Sequence, residues 1–143
     1  MTTKAFAEYF IKGVEEMIGQ GNFLKAGEIV ISAYSGHGPA WTWEVEALYR
    51  TPSDDEENAL ALKLKETLLS LAKVLWDQKK LFYGDNLESI WYCVSCLNKL
   101  GRSAPAHLID EVEEYIYKMM VYDKKRAEQW KILASFLPAV SRH

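Results

Sequence analysis

Apolar residues along the chain recur at three- and four-residue intervals, and no stretch alternates strictly between apolar and polar, so the pattern predicts helices throughout and no strand. The longest such stretch is 51–80, TPSDDEENALALKLKETLLSLAKVLWDQKK. At 100° per residue, Leu60, Leu64, Leu68, Leu71, Val74 and Leu75 share one face, with Ala61 and Ala72 beside them. Leu62, Leu69 and Trp76 widen that arc, which predicts a central helix covered from two sides. Lys65 falls inside the arc, where its stem can lie on the core while its ammonium reaches water. Pro52 suits a first helical position, and Ser53 with Glu56 suits a capping box. The four carboxylates at 54–57 then complement the positive end of the helix dipole, which gives this acidic run a structural cause.

Six further helices are expected. Thr2 or Thr3 caps the first, in which Phe6, Tyr9, Phe10, Val14, Met17 and Ile18 form one buried face before Gly19 and Gly21 stop it. Asn22 caps a second running to Tyr34, and the short link makes the two antiparallel. The break SGHGP at 35–39 precedes a short helix from Gly38 and Pro39 to Arg50, with Trp41, Val45, Leu48 and Tyr49 on one face and Trp43 nearly opposite. After 51–80 comes a turn at 81–86 containing Phe82 and Tyr83. Asp85 with Glu88 then opens a helix that carries Leu87, Ile90, Trp91, Val94 and Leu97 inward and closes at Gly101. Ser103 and Pro105 open the next, with Leu108, Val112, Tyr115, Ile116 and Met119 inward. Asp123 caps the last, where Ala127, Trp130, Leu133, Ala134 and Leu137 pack before Pro138. The expected fold is all-α: about seven helices as antiparallel hairpins around the 51–80 helix, a bundle or a short solenoid-like stack, with residues 1–143 as one domain.

Gly21, Phe23, Ala26, Val30 and Ala33 resemble the second helix of a tetratricopeptide repeat, with Phe10 and Met17 in the large apolar positions of its first helix. Gly13 and Val14 replace the leucine and glycine usual there, Pro39 falls one residue late, and no second copy follows 34 residues on. The resemblance covers about residues 6–34 and implies stacked helical hairpins.

Composition adds limits. With 49% hydrophobic and 26% charged residues the chain is a folded globular one. Its net charge of -3 is unevenly spread: residues 1–60 carry four basic and ten acidic side chains, residues 61–143 thirteen and ten. The basic residues Lys118, Lys124, Lys125, Arg126 and Lys131 are interleaved with Asp123 and Glu128, a solvated helix face and not a nucleic-acid site. Lys4, Glu8, Lys12, Glu15 and Glu16 interrupt any signal-peptide core, and no segment is apolar enough to span a bilayer. Two cysteines without an export signal suggest a cytoplasmic setting.

Candidate chemistry is sparse. Cys93 and Cys96 form a CxxC, but mid-helix and without a strand they lack the setting of a redox pair, and the three histidines stand at no zinc-ligand spacing, so both cysteines are expected to be structural. His107 reads as a surface residue, and the acidic run 110–114 as the wet side of its helix. Catalytic, phosphate-binding and calcium-loop patterns are absent, and neither a metal nor a cofactor is expected. The segment SGHGPAWTWE holds the best site residues: His37 between glycines, then Trp41, Trp43, Glu44 and Glu46. The blander reading is a turn whose tryptophans are core.

The leading functional expectation is a non-enzymatic cytoplasmic module that binds a partner protein, as a small adaptor, chaperone or inhibitor of the immunity type does. The partner is expected to be protein, basic if the acidic half attracts it, with no nucleic acid or membrane involved. Trp43 is the expected contact residue, because tryptophan is enriched in interface hot spots. The rivals are a small helical enzyme or ligand-binding bundle with a pocket near His37, Trp41, Trp43 and Glu44, and a homodimer burying Trp43 or Phe82.

Overall fold

Thr2 starts the first helix: its hydroxyl accepts the Ala5 N–H at 3.1 Å, and α1 (Thr3–Gly19) buries Phe10 and Val14 of the expected face together with Ala7 and Ile11, while Tyr9 of that face is exposed. The computed structural model describes residues 1–79 and 86–140, and within them seven α-helices and no strand build an all-α bundle. The expected 81–86 turn up to residue 85, with Phe82 and Tyr83, the end of the long helix at Lys80, the Asp85 cap and His143 lie outside the described residues.

After a tight turn, α2 (Phe23–Ile31) packs on α1 and buries Ala26, Ile29 and Val30. It stops short of Tyr34 because Ser32 turns extended and the chain doubles back, until the Trp41 N–H bonds the Ile29 carbonyl at 2.9 Å. Gly38 and Pro39 therefore belong to a loop, not to the next helix. Thr42 is the cap instead, its hydroxyl accepting the Val45 N–H at 3.4 Å, and α3 (Trp43–Arg50) follows.

Asp54, not Ser53, caps the long helix. Its carboxylate accepts the Glu57 N–H at 2.8 Å while Glu57 accepts the Ser53 N–H at 3.2 Å, the reciprocal logic of a capping box one residue later than expected. Lys4 of α1 lies 3.0 Å from Asp54 and from Glu56, tying α1 to this start. The helix, α4 (Asp55–Gln78), buries Leu64, Leu68, Leu71, Ala72 and Leu75, and packs on α1, α2 and α3. Leu62 departs from the predicted arc and is 55% exposed. Trp76 is covered by a later helix, where it meets Tyr115 edge-on at 5.6 Å and donates to Glu111 at 3.2 Å.

α5 (Leu87–Leu100) shares the central position, packing closely on α4 and on α2. Ile90, Tyr92, Cys93, Val94, Cys96 and Leu97 are all buried, so its apolar surface extends round most of the circumference. The buried Ser89 hydroxyl is satisfied by donating to the Leu75 carbonyl at 3.0 Å. Gly101, at φ +56, closes the helix in the left-handed region as its position predicts. At Gly27 a Cβ would lie 2.5 Å from the Tyr92 ring, so the α2 and α5 backbones meet at a distance only glycine permits. Gly13 of α1 plays the same part against Pro39 of the loop, which accounts for glycine at a position where the repeat pattern has leucine.

α6 (Ala106–Tyr122) and α7 (Ala127–Ser135) pack chiefly on each other and reach the other helices chiefly through α5. Asp123 does not cap α7 directly, because a 3-10 turn (Lys124–Arg126) intervenes. Its carboxylate bonds Arg126 Nε at 2.6 Å and Trp130 Nε1 at 3.0 Å, and Trp130 is fully buried. No helix among the described residues is long and apolar enough to cross a membrane.

Candidate functional site

The loop between α2 and α3 separates the five residues singled out by sequence into two groups. The Gly38 N–H bonds the Ser35 carbonyl at 3.0 Å, so residues 35–38 form a turn with His37 exposed on it. Beyond the turn, Pro39 seats on Gly13 and Trp41 runs inward to 5% exposure. There its ring meets Phe10 edge-on at 5.2 Å and Tyr49 at 5.3 Å. Two residues later, Trp43 is 80% exposed. Trp41 is therefore a core residue and Trp43 a surface one.

Trp41 and Glu46 belong to one polar cluster with Arg50 and Lys99. Trp41 Nε1 donates to Glu46 Oε2, Arg50 Nε donates to Glu46 Oε1 at 3.0 Å, and Lys99 Nζ stands 4.7 Å from the centre of the Trp41 ring. Tyr49 closes the group by donating its hydroxyl to the Lys99 carbonyl at 3.2 Å, with the Arg50 guanidinium 5.1 Å over its ring. Desolvation works against the Glu46 charge, but the bonds from Trp41 and Arg50 and the field of Lys99 prevail and hold its carboxyl below the ordinary value. Burial lowers the Lys99 pKa, opposed by Glu46 and aided by Arg50, and burial raises that of Tyr49. Both Glu46 oxygens are already occupied, and His37 is not among the residues that line the adjoining depression. The arrangement fixes α3 and its loop against α5, with the half-buried Lys99 ammonium over the Trp41 ring. Glu44 sits in the first turn of α3, where its charge suits the helix dipole.

Trp43 and Lys99, with Val30, Ile31 and Glu46, border a depression of about 210 Å³ over Trp41. Ile31 and Lys99 also line a second, of about 260 Å³, together with Trp91, Val94, Asn98 and Phe136. Trp91 and Phe136 in turn line a third, of about 340 Å³, with Leu87, Gln129, Ile132 and Leu133. The three depressions adjoin along these shared walls, and together they are termed the groove. Its floor is a stripe of α5 at positions 87, 91, 94, 95, 98 and 99, and α2 and α7 supply its sides. Ile31, Trp43, Trp91, Ile132 and Phe136 are all large, apolar and exposed, and all line it. Sequence reasoning found Trp43, expected Trp91 to face inward where the structure leaves it 46% exposed, and missed the other three. The available signal was on α5, whose apolar arc is too wide for one buried face, and which therefore had a tryptophan left over for the surface.

Elsewhere the chemistry is quiet. Cys93 and Cys96 are free and buried, Cys93 donating its thiol to the Ala72 carbonyl at 3.4 Å. Burial pushes the Cys93 pKa up to about 12 and that of Cys96 well above 9.0, the reverse of an activated thiol. Among the described residues no group of three or more His, Cys, Asp or Glu is placed to hold a metal ion. Of the basic cluster, Lys118 pairs with Glu114 at 3.2 Å and Arg126 with Asp123, and His107 is exposed at the start of α6. No family model matches the chain, and neither a curated protein nor a solved structure matches it significantly.

Proposed function

We propose that the chain is a non-enzymatic protein-binding module, of the adaptor, chaperone or inhibitor kind, and that its partner lies in the groove over α5. The observation that carries this reading is the gathering of five exposed large apolar side chains, two of them tryptophan, around three adjoining depressions. Contiguous apolar surface on a small protein marks interaction sites, and aromatic anchors in partly desolvated pockets dominate binding energy. Two free cysteines kept reduced in the core are in keeping with a cytoplasmic setting.

Affinity capture from the native organism, read by mass spectrometry, tests the proposal. Proteins held by the wild-type chain are expected to be lost with Trp91→Ala and Trp43→Ala and kept with Tyr122→Ala, an exposed aromatic on α6 outside the groove. Each hot-spot truncation is expected to weaken a purified partner by about 2 kcal/mol, roughly 30-fold in Kd. Capture that survives both groove substitutions overturns the reading.

A further inference from the structure

We propose that the groove receives an amphipathic helix of a partner protein, with large aliphatic or aromatic residues on one stripe and an aspartate or glutamate set against Lys99. This rests on the reading of the chain as a protein-binding module and deepens it.

Shape argues for a helix. The floor follows one face of α5 from Leu87 to Lys99, about 18 Å at the helical rise, which is the length of three turns or so. Ile31 on one side and Ile132 and Phe136 on the other make it a trough between helices, the form into which another helix lays its ridge. Backbone chemistry argues the same way. The described residues contain no strand, and α2, α5 and α7 offer no open strand edge, their main-chain groups being spent mostly within the helices. An extended peptide laid on this lining would find little to bond its amides and carbonyls, whereas a helix satisfies its own.

Charge specifies the rest. Lys99 borders two of the three depressions, its ammonium resting on the Trp41 ring, and no ion pair joins it to a carboxylate among the described residues. Glu46, the nearest candidate, has both oxygens engaged by Trp41 and Arg50. A partly buried cation beside an apolar trough is best answered by an incoming carboxylate, which restores the interaction that desolvation removed. The carboxylate of the partner helix is thereby placed at Lys99.

Selection of displayed random peptides of about 16 residues, roughly four helical turns, against the full chain tests this. Binders counted are those lost with Trp91→Asp, a substitution at an exposed position. They are expected to show large apolar residues at helical spacing and an acidic residue at a constant offset. A synthetic binder with that acid changed to Lys should bind the wild type at least about tenfold more weakly. Lys99→Glu should reverse that order. Should Lys99→Glu melt the fold by placing a second carboxylate near Glu46, Lys99→Gln should make the two peptides bind alike. Selected sequences without helical spacing, or an acid preference unchanged by either Lys99 substitution, overturn the proposal. So does a mass that rises with concentration and falls back with Trp91→Asp, which would put a second copy in the groove. Trp91-dependent protein capture alongside non-helical peptides would sink the helix alone, whereas no Trp91-dependent binder of any kind would sink the protein-binding reading with it.

Discussion

Asp123 settles how α6 gives way to α7. One carboxylate bonds the buried Trp130 indole and the Arg126 guanidinium, and Trp130 first and Arg126 next hold its pKa below the ordinary 3.8, while desolvation opposes them. Because the folded value is depressed, the stability this charge contributes is complete above the unfolded value and is lost as pH falls through the folded one. Asp123→Asn is expected to lower stability at pH 7, with the gap to wild type narrowing below about pH 4. Urea unfolding at the two ends of that range measures it, and a gap that stays constant would assign the contribution to geometry and not to charge. The sequence shows an acid at a helix boundary and supports a cap. It does not show that Trp130, seven residues on, turns its nitrogen back to that acid, because this depends on the intervening 3-10 turn. The pair Trp41 and Trp43 is similar: their opposite directions were legible, but which one the core takes is set by Phe10 and Tyr49, distant in sequence.

At the scale of the helices, Gly27 sets the spacing of α2 and α5. Gly27→Ala would place a methyl against the Tyr92 ring that cannot be accommodated without moving α2 from α5, and a loss of about 1–3 kcal/mol is expected from such overpacking. Gly19→Ala, where nothing lies within 4 Å, is the contrast and is expected to be neutral or stabilising by up to about 1 kcal/mol. Denaturant midpoints of the two variants decide between packing and propensity as the role of each glycine. Seven helices and most of their buried faces were legible, since period and caps are local signals. The ends of α2 and the start of α3 were not, because a long-range bond from Trp41 to Ile29 shortens the first, and the Gly38–Pro39 signal obscured the Thr42 cap of the second. The groove was legible only as a surplus of apolar residues on α5.

For the whole molecule, the division of contacts predicts a division of stability. α4 and α5 are packed against α1, α2 and α3, whereas α6 and α7 lean chiefly on one another. Native-state hydrogen exchange is expected to show α6 and α7 amides opening at lower free energy than those of α4 and α5. Equal protection across all seven helices would mean that Trp76, Tyr115 and Trp130 bind the two parts into one cooperative unit. The groove spans both parts, with its floor on α5 and one side on α7, so a bound partner should raise protection in α7 above all. Charge asymmetry between the halves, visible in composition, says little about this face, whose lining is mostly apolar.

The chain has two cysteines, and both thiols are buried with raised pKa values. In the folded protein they are therefore expected to react only slowly with alkylating dyes. A single cysteine introduced at Trp43 or Phe136 would then be the one labelled position, and a fluorophore attached there would report occupancy of the groove without removing either native thiol.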